Sequence, residues 1–270
     1  MADKPEGGRA QVFESVGRST VRGVEQFGYG ASIFMQSIYW VFMGRRRHQR
    51  VRAQPVFAEA VEAGIRAIPI IMVLNATIGI MMALQGIDGL RAFGAEHQVV
   101  FGVTLSVTRE FAPLITGILV AGRSGSALAA RLATMTISQE VDAMRSMGID
   151  PVRFLVVPAL LAMAVMVPTL VVMADFVALF AAGLYISPEI DITMAAYFDQ
   201  TLASIDVNDV MHGVTKSAIF GVLITIVGIV DGSSVTGGAE GVGRVTTASV
   251  VHGISAIILT DMIFVYAATR

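Results

Sequence analysis

The sequence predicts an all-α polytopic membrane protein of about five transmembrane helices, with an N-terminal interfacial helix and a short amphipathic helix in one connection. Of its 270 residues 54% are hydrophobic and only 15% charged, and the mean hydropathy is +0.70; soluble domains carry about 25% charged residues. Several apolar runs reach the roughly 20 residues that cross about 30 Å of hydrocarbon at ~1.5 Å per residue. Basic residues are concentrated in two regions, as orientation in a membrane demands.

Residues 1–10, MADKPEGGRA, are polar and mixed in charge, with no apolar stretch behind a basic start. They are read as a disordered tail and not as a cleavable signal peptide. Residues 11–52 form an interfacial amphipathic region. Phe27, Ala31, Phe34, Ile38 and Phe42 recur at three- and four-residue spacing beside Tyr39 and Trp40, and RRRHQRVR (45–52) follows. An aromatic, apolar helix closed by a basic cluster suits the headgroup plane. A first span that stops at those arginines is the alternative reading of residues 27–43, although Ala31 to Met43 is short for a span.

Residues 53–270 form the transmembrane domain. Spans are expected over 65–84, with Arg66 at its edge; 99–121, provided it tolerates Arg109 and Glu110; 154–184, free to tilt or bend at Pro158 and Pro168; 210–230; and 247–268. The connection 185–209 holds Glu189, Asp191, Asp199, Asp206 and Asp209 and no Lys or Arg. The connection 122–153 holds Arg123, Arg131, Arg145 and Arg153. Since Lys and Arg stay on the cytoplasmic side, the amino-terminal region and 122–153 are expected inside, and 85–98, 185–209 and the carboxyl terminus outside. Gly117, Ala121, Gly125 and Ala129 are spaced for close helix packing, while the first span offers only Gly79 and Ala83. No inverted repeat of the secondary-transporter kind stands out.

Arg109 and Glu110 lie inside an apolar helix, and Asp175, Lys216 and Asp261 are also set in apolar surroundings. Adjacent residues on a helix point roughly 100° apart, so Arg109 and Glu110 do not simply pair with each other. Each charge near the midplane costs roughly 2.5–3.5 kcal/mol on insertion scales, and such charges mark pathways. A network is expected in which Arg109 or Lys216 pairs with Glu110 or Asp261; the alternative is that these groups only fix helix packing. Residues 137–147 place Ile137, Val141 and Met144 on one helical face, with Gln139, Glu140, Asp142 and Arg145 on the rest, Ser138 as N-cap and Gly148 as stop. Such a helix either lies on the bilayer surface or inserts into a partner's groove.

Enzyme signatures are missing. There is no GxxxxGK[ST] loop and no HExxH. GGAEGVGR (237–244) is read as a flexible cytoplasmic loop, and GRSGS (122–126) lacks the last glycine of a nucleophile elbow. The absence of cysteine removes Cys-based metal sites, and His48, His97, His212 and His252 have no ligand spacing. Nucleic-acid binding has no support beyond the basic cluster. No metal or catalytic residue is assigned.

REFAPLITGILVAGRSGSALAARLATM, then QEVDAMRSMGIDP and VVP at 156–158, resemble the MlaE/YrbE family of permease subunits of MCE-type ABC transporters. Weaker similarity runs from ALQG (83–86) through KSAIFG (216–221) and RVTTASVVHG (244–253) to LTDMIF (259–264), so that it covers about 55–270. The resemblance implies a non-enzymatic homodimeric permease in the bacterial inner membrane, multi-pass, moving phospholipid or a related hydrophobic molecule. It implies a separate cytoplasmic ABC ATPase that binds ATP and Mg, with no cofactor in this chain, a periplasmic MCE-domain protein, and room for an accessory regulatory subunit. By it, Leu84, Gln85, Arg109, Glu110, Lys216 and Asp261 resemble lipid-cavity residues, and Ile137, Gln139, Glu140, Val141, Met144 and Arg145 the ATPase-coupling helix. The chain departs from the family at Gln139–Glu140, where Glu-Gln is frequent, and at Arg131, where an acid is common. The rival classes are an ion-coupled secondary transporter using Glu110, Asp175 or Asp261, an intramembrane enzyme and a scaffold.

Overall fold

The computed structural model describes residues 6–43 and 52–268, and every regular element among them is helical. The order is α1 (Glu6–Met43), α2 (Ala53–Ala63), α3 (Ile68–Arg91), α4 (Val99–Ser106), α5 (Ala112–Val120), α6 (Ser126–Ile137), α7 (Glu140–Ser146), α8 (Val157–Glu189), α9 (Met194–Ser204), α10 (Val207–Ser233) and α11 (Ala239–Ala268). Short 3₁₀ and π turns join several of these into longer rods. Among the described residues five rods are long and apolar enough to cross a membrane: Ala53–Arg91, Glu96–Ile137, Val152–Glu189, Val207–Ser233 and Ala239–Ala267.

All five expected spans are present, and most are longer than hydropathy suggests. The second does not stop at 121 but runs to Ile137, so residues 122–137 of the expected loop are helix. The run Ala239–Arg244, expected to be flexible, is the start of α11. Hydropathy falls at these places because the residues are small and polar, packed against neighbouring helices in much of 122–137 and mostly exposed in 239–244, while the backbone goes on satisfying itself. At the other end of the chain, α1 already includes Glu6–Ala10, expected to belong to a disordered tail. Residues 1–5, and residues 45–51 of the basic cluster, lie outside the described residues.

Proline accounts for two of the three π turns. Pro113 has no N–H to give the Arg109 carbonyl, and the helix widens into a π turn over Val107–Phe111. Pro158 stands in the same relation to Phe154 within the π turn Val152–Val156. The third, Ala121–Gly125, has no proline; there the Ser126 hydroxyl donates to the carbonyls of Gly122 and Arg123.

The central rod is α8, packed against α2, α3, α5 and α10. Its approach to α3 is set by Gly79, where an added Cβ would meet the Ala178 carbonyl oxygen at 2.1 Å. Its approach to α10 is set by Gly221, whose Cβ would lie 2.5 Å from the Met163 carbonyl oxygen. Ala83 and Ala182 are fully buried along the same α3–α8 seam. The pair that looked weak in the sequence is therefore the centre of the seam. Gly125, Gly228 and Gly232 do the same for α6 and α10.

The two ends of the bundle are tied differently. At the α9 end, Arg91 bridges Glu96 at 3.0 Å and Glu189 at 2.8 Å. There α9, capped by the Thr193 side chain, lays the buried Tyr197 over Gly183, with its hydroxyl donating to the Leu179 carbonyl at 2.9 Å. Burial pushes the Tyr197 phenol above its usual range. At the α7 end, Trp40 of α1 donates to Asp150 Oδ2 at 2.9 Å, and the Arg153 guanidinium sits 5.5 Å from the Trp40 ring centre.

Gly79→Ala is expected to lower stability by about 1–3 kcal/mol through overpacking. Gly89→Ala in the same helix, with nothing within 4 Å of the new Cβ, should be neutral or stabilising. Paired melting curves of the two variants in detergent check this.

Candidate functional site

Three rods meet at Lys216. Its side chain is fully buried on α10, and its ammonium lies 2.7 Å from Glu110 Oε2 in the π turn and 2.8 Å from Asp261 Oδ1 on α11. The Glu110 contact is a hydrogen bond; the Asp261 contact is a charge pair that falls short of hydrogen-bond alignment. Glu110 is 35% exposed and Asp261 14%, so the triad meets its surroundings chiefly through Glu110. An isolated ammonium in a low-dielectric interior carries a penalty of several kcal/mol, and two carboxylates offset it while leaving the group one net negative charge.

Arg109 turns away from the triad. Its guanidinium grips Asp209, with Nε 2.7 Å from Oδ1. Asp209 sits in the first turn of α10, where its other oxygen accepts from the Asp206 amide at 3.0 Å. One carboxylate thus closes the N-terminus of α10 and holds the helix that carries Glu110. Of the pairings expected from the sequence, Lys216 with Glu110 and with Asp261 are present. Arg109 has neither of its expected partners and takes an acid that the sequence placed in an outer loop. Asp209 is the residue missed; its position three after the cap Asp206 was the available signal.

Leu84 and Gln85 lie on the exposed side of α3, outside this ion-paired group. Asp175 stands apart as well, with a buried Oδ1 that has no hydrogen-bond partner. A large apolar cavity lies on another face of α10 and includes none of Glu110, Lys216 or Asp261.

At the opposite end, α7 begins after Gln139, whose φ of +60° makes it the turning residue. Ser138 is not the N-cap: it ends α6, and its hydroxyl donates to Glu140 Oε1 at 2.8 Å. Gly148, at φ +75°, stops the helix as expected. Val141 and Met144 are half-buried, whereas Ile137, Gln139, Glu140 and Arg145 are exposed. Met147 and Ile149, also exposed, extend the apolar strip beyond the expected set.

The GRSGS run has a structural use. Arg123 donates to the Glu62 carbonyl at 3.1 Å and the Ser124 hydroxyl to the Ala63 carbonyl at 3.0 Å, so together they close the carboxyl end of α2. Arg131, the departure from the family pattern, pairs with Glu59 of α2 at 2.6 Å. Among the described residues no three or more His, Asp or Glu are grouped to hold a metal ion.

The family model described as Permease MlaE matches residues 56–267. A probable ABC transporter permease protein of Rickettsia felis is 34% identical over 258 residues, 94% of this chain and 98% of that protein. The chloroplastic protein TRIGALACTOSYLDIACYLGLYCEROL 1 of Arabidopsis thaliana is 30% identical over 200 residues, 74% of this chain and 57% of that protein. The intermembrane phospholipid transport system permease protein MlaE of Haemophilus influenzae is 27% identical over 201 residues, 74% and 77% respectively.

Lys216→Met strands two carboxylates and is expected to cost about 3–5 kcal/mol, and adding Glu110→Gln and Asp261→Asn should restore most of it. Thermal unfolding of the single and triple variants in detergent checks the sign.

Proposed function

The chain belongs to the MlaE permease family, and from that premise we propose that it is the membrane subunit of an ATP-driven phospholipid transporter. The observation that carries the proposal is the buried Lys216 triad. It is a costly charged group lodged where three spans converge, in a chain whose relatives include a phospholipid transport permease. The membrane is the bacterial inner membrane, and the arginine-rich α7 end faces the cytoplasm.

In this reading two copies pair through surfaces that include the exposed sides of α3 and α11. Leu84, Gln85, Arg109, Glu110, Lys216 and Asp261 then border a shared lipid cavity, where Glu110, held by the buried Lys216, meets the polar part of the lipid. The α7 strip seats on a separate cytoplasmic ABC ATPase, which binds ATP and Mg. A periplasmic MCE-domain protein receives or delivers the lipid. Ile137 ends the rod that carries Glu110, about 40 Å away at ~1.5 Å per residue. A tilt imposed at α7 passes through the Gln139 turn and the π turn at Ala121–Gly125 before it reaches the triad.

Two measurements test this. Met147→Asp combined with Ile149→Asp should abolish co-purification of the ATPase, since each places a charge in an apolar contact; undiminished recovery would remove the docking surface. In proteoliposomes, lipid transfer should need both the ATPase and ATP. Flux driven by an ion gradient through the isolated chain would replace the proposal with secondary transport.

A further inference from the structure

A cavity of about 800 Å³ lies between α1, α8, α10 and α11. Phe34, Ile219, Leu223 and Ile226 form much of its wall. Along α10 it extends from Thr215 to Asp231, about 24 Å at ~1.5 Å per residue, most of the hydrocarbon thickness of a bilayer. Its roof is α1, whose Gly30 brings the helix backbone against the Ile226 and Val230 side chains. An open apolar groove of this size is the kind of surface that takes an apolar guest.

Its polar groups are few. Thr215 marks one end, Gln26 lies on the roof, and Asp231 and His252 mark the α7 end. Asp231 is nearly buried, its side chain 6% exposed, and both of its oxygens lie 3.0–3.1 Å from His252 Nδ1. A carboxylate on Nδ1 holds that nitrogen as the donor and leaves Nε2 as an acceptor. The His252 side chain is 53% exposed. The Asp231 carboxylate and the His252 ring thus place acceptor atoms beside an apolar channel, complementary to an ammonium group that donates to Nε2.

We propose that this cavity is a second lipid site, occupied by an aminophospholipid whose ammonium meets the Asp231–His252 pair and whose acyl chain runs along α10 beneath α1. The site requires only that the spans cross a bilayer. It is independent of the ATPase and of the Lys216 triad, which lies on another face of α10.

The full chain, without nucleotide or partner, is reconstituted into vesicles of phosphatidylethanolamine and phosphatidylglycerol. Each lipid in turn carries a diazirine near the end of one acyl chain, and labelled peptides are mapped after photolysis. Phosphatidylethanolamine should label Phe27–Phe34 and Ile219–Ile226 well above the exposed α8 positions Val172 and Phe176. Ala218→Trp, which fills the cavity, should cut that labelling roughly tenfold. Asp231→Asn should bring the two lipids to equal labelling while leaving the chain positions occupied. Labelling no higher than at Val172 and Phe176, or unaffected by Ala218→Trp in a variant with unchanged melting temperature, overturns the site. Equal labelling by both lipids in the unaltered chain overturns the headgroup assignment. A photo-crosslinker at Ala31 that captures a second copy of the chain would show that protein, and not lipid, fills the groove. Excess dodecylamine that displaces the phospholipid label supports the ammonium chemistry; failure to displace it overturns that chemistry.

Discussion

A lysine with no exposure inside a lipid-spanning bundle sets the terms for much of this structure. Its ammonium needs negative partners at hydrogen-bond distance, and those partners lie on two other rods. Glu110 and Asp261 can reach Lys216 only if α10 lies between the π turn and α11. The pairing selects one arrangement of three helices from those that apolar packing would tolerate, because lipid offers a displaced charge no alternative partner.

The local backbone serves that requirement. Pro113 withholds the hydrogen bond that a regular helix would make to Arg109, and the π turn that results carries both charges. Arg109 and Glu110 then serve different partners, Asp209 on one side and Lys216 on the other. Glycines on α3, α6 and α10 allow the backbones to approach where ion pairs and apolar seams need them close. The polar residues of GRSGS close the end of α2, so the second span is joined to the first at the α7 end.

The bundle is also coupled lengthwise. The rod 96–137 carries the triad's glutamate and ends beside α7, and α8 leaves the same connection. Trp40 fastens α1 to Asp150 in that connection, and Asp150 also accepts from the Val152 amide at 2.9 Å at the start of the next rod. These contacts join the connection that carries α7 to α1 and to the start of the α8 rod, and α1 roofs the large cavity.

Composition and periodicity alone established a five-span helical membrane protein and placed the intramembrane charges, while the resemblance of its motifs to a known family marked 109–158. Those features are local: apolar run length, charge sparsity and motif order do not depend on which helix packs where. Tertiary structure decided that Lys216 takes both carboxylates, that Arg109 takes Asp209, that Gly79 is a close-contact point, and that Val141 and Met144 are half-buried while Met147 and Ile149 are exposed. It also carried helix through 122–137 and 239–244, where small and polar residues lowered the hydropathy. Which charge meets which depends on the relative rotation and depth of separate helices. Those are set by packing between residues far apart in the chain, 106 positions in the case of Glu110 and Lys216, and no reading of one segment at a time contains them.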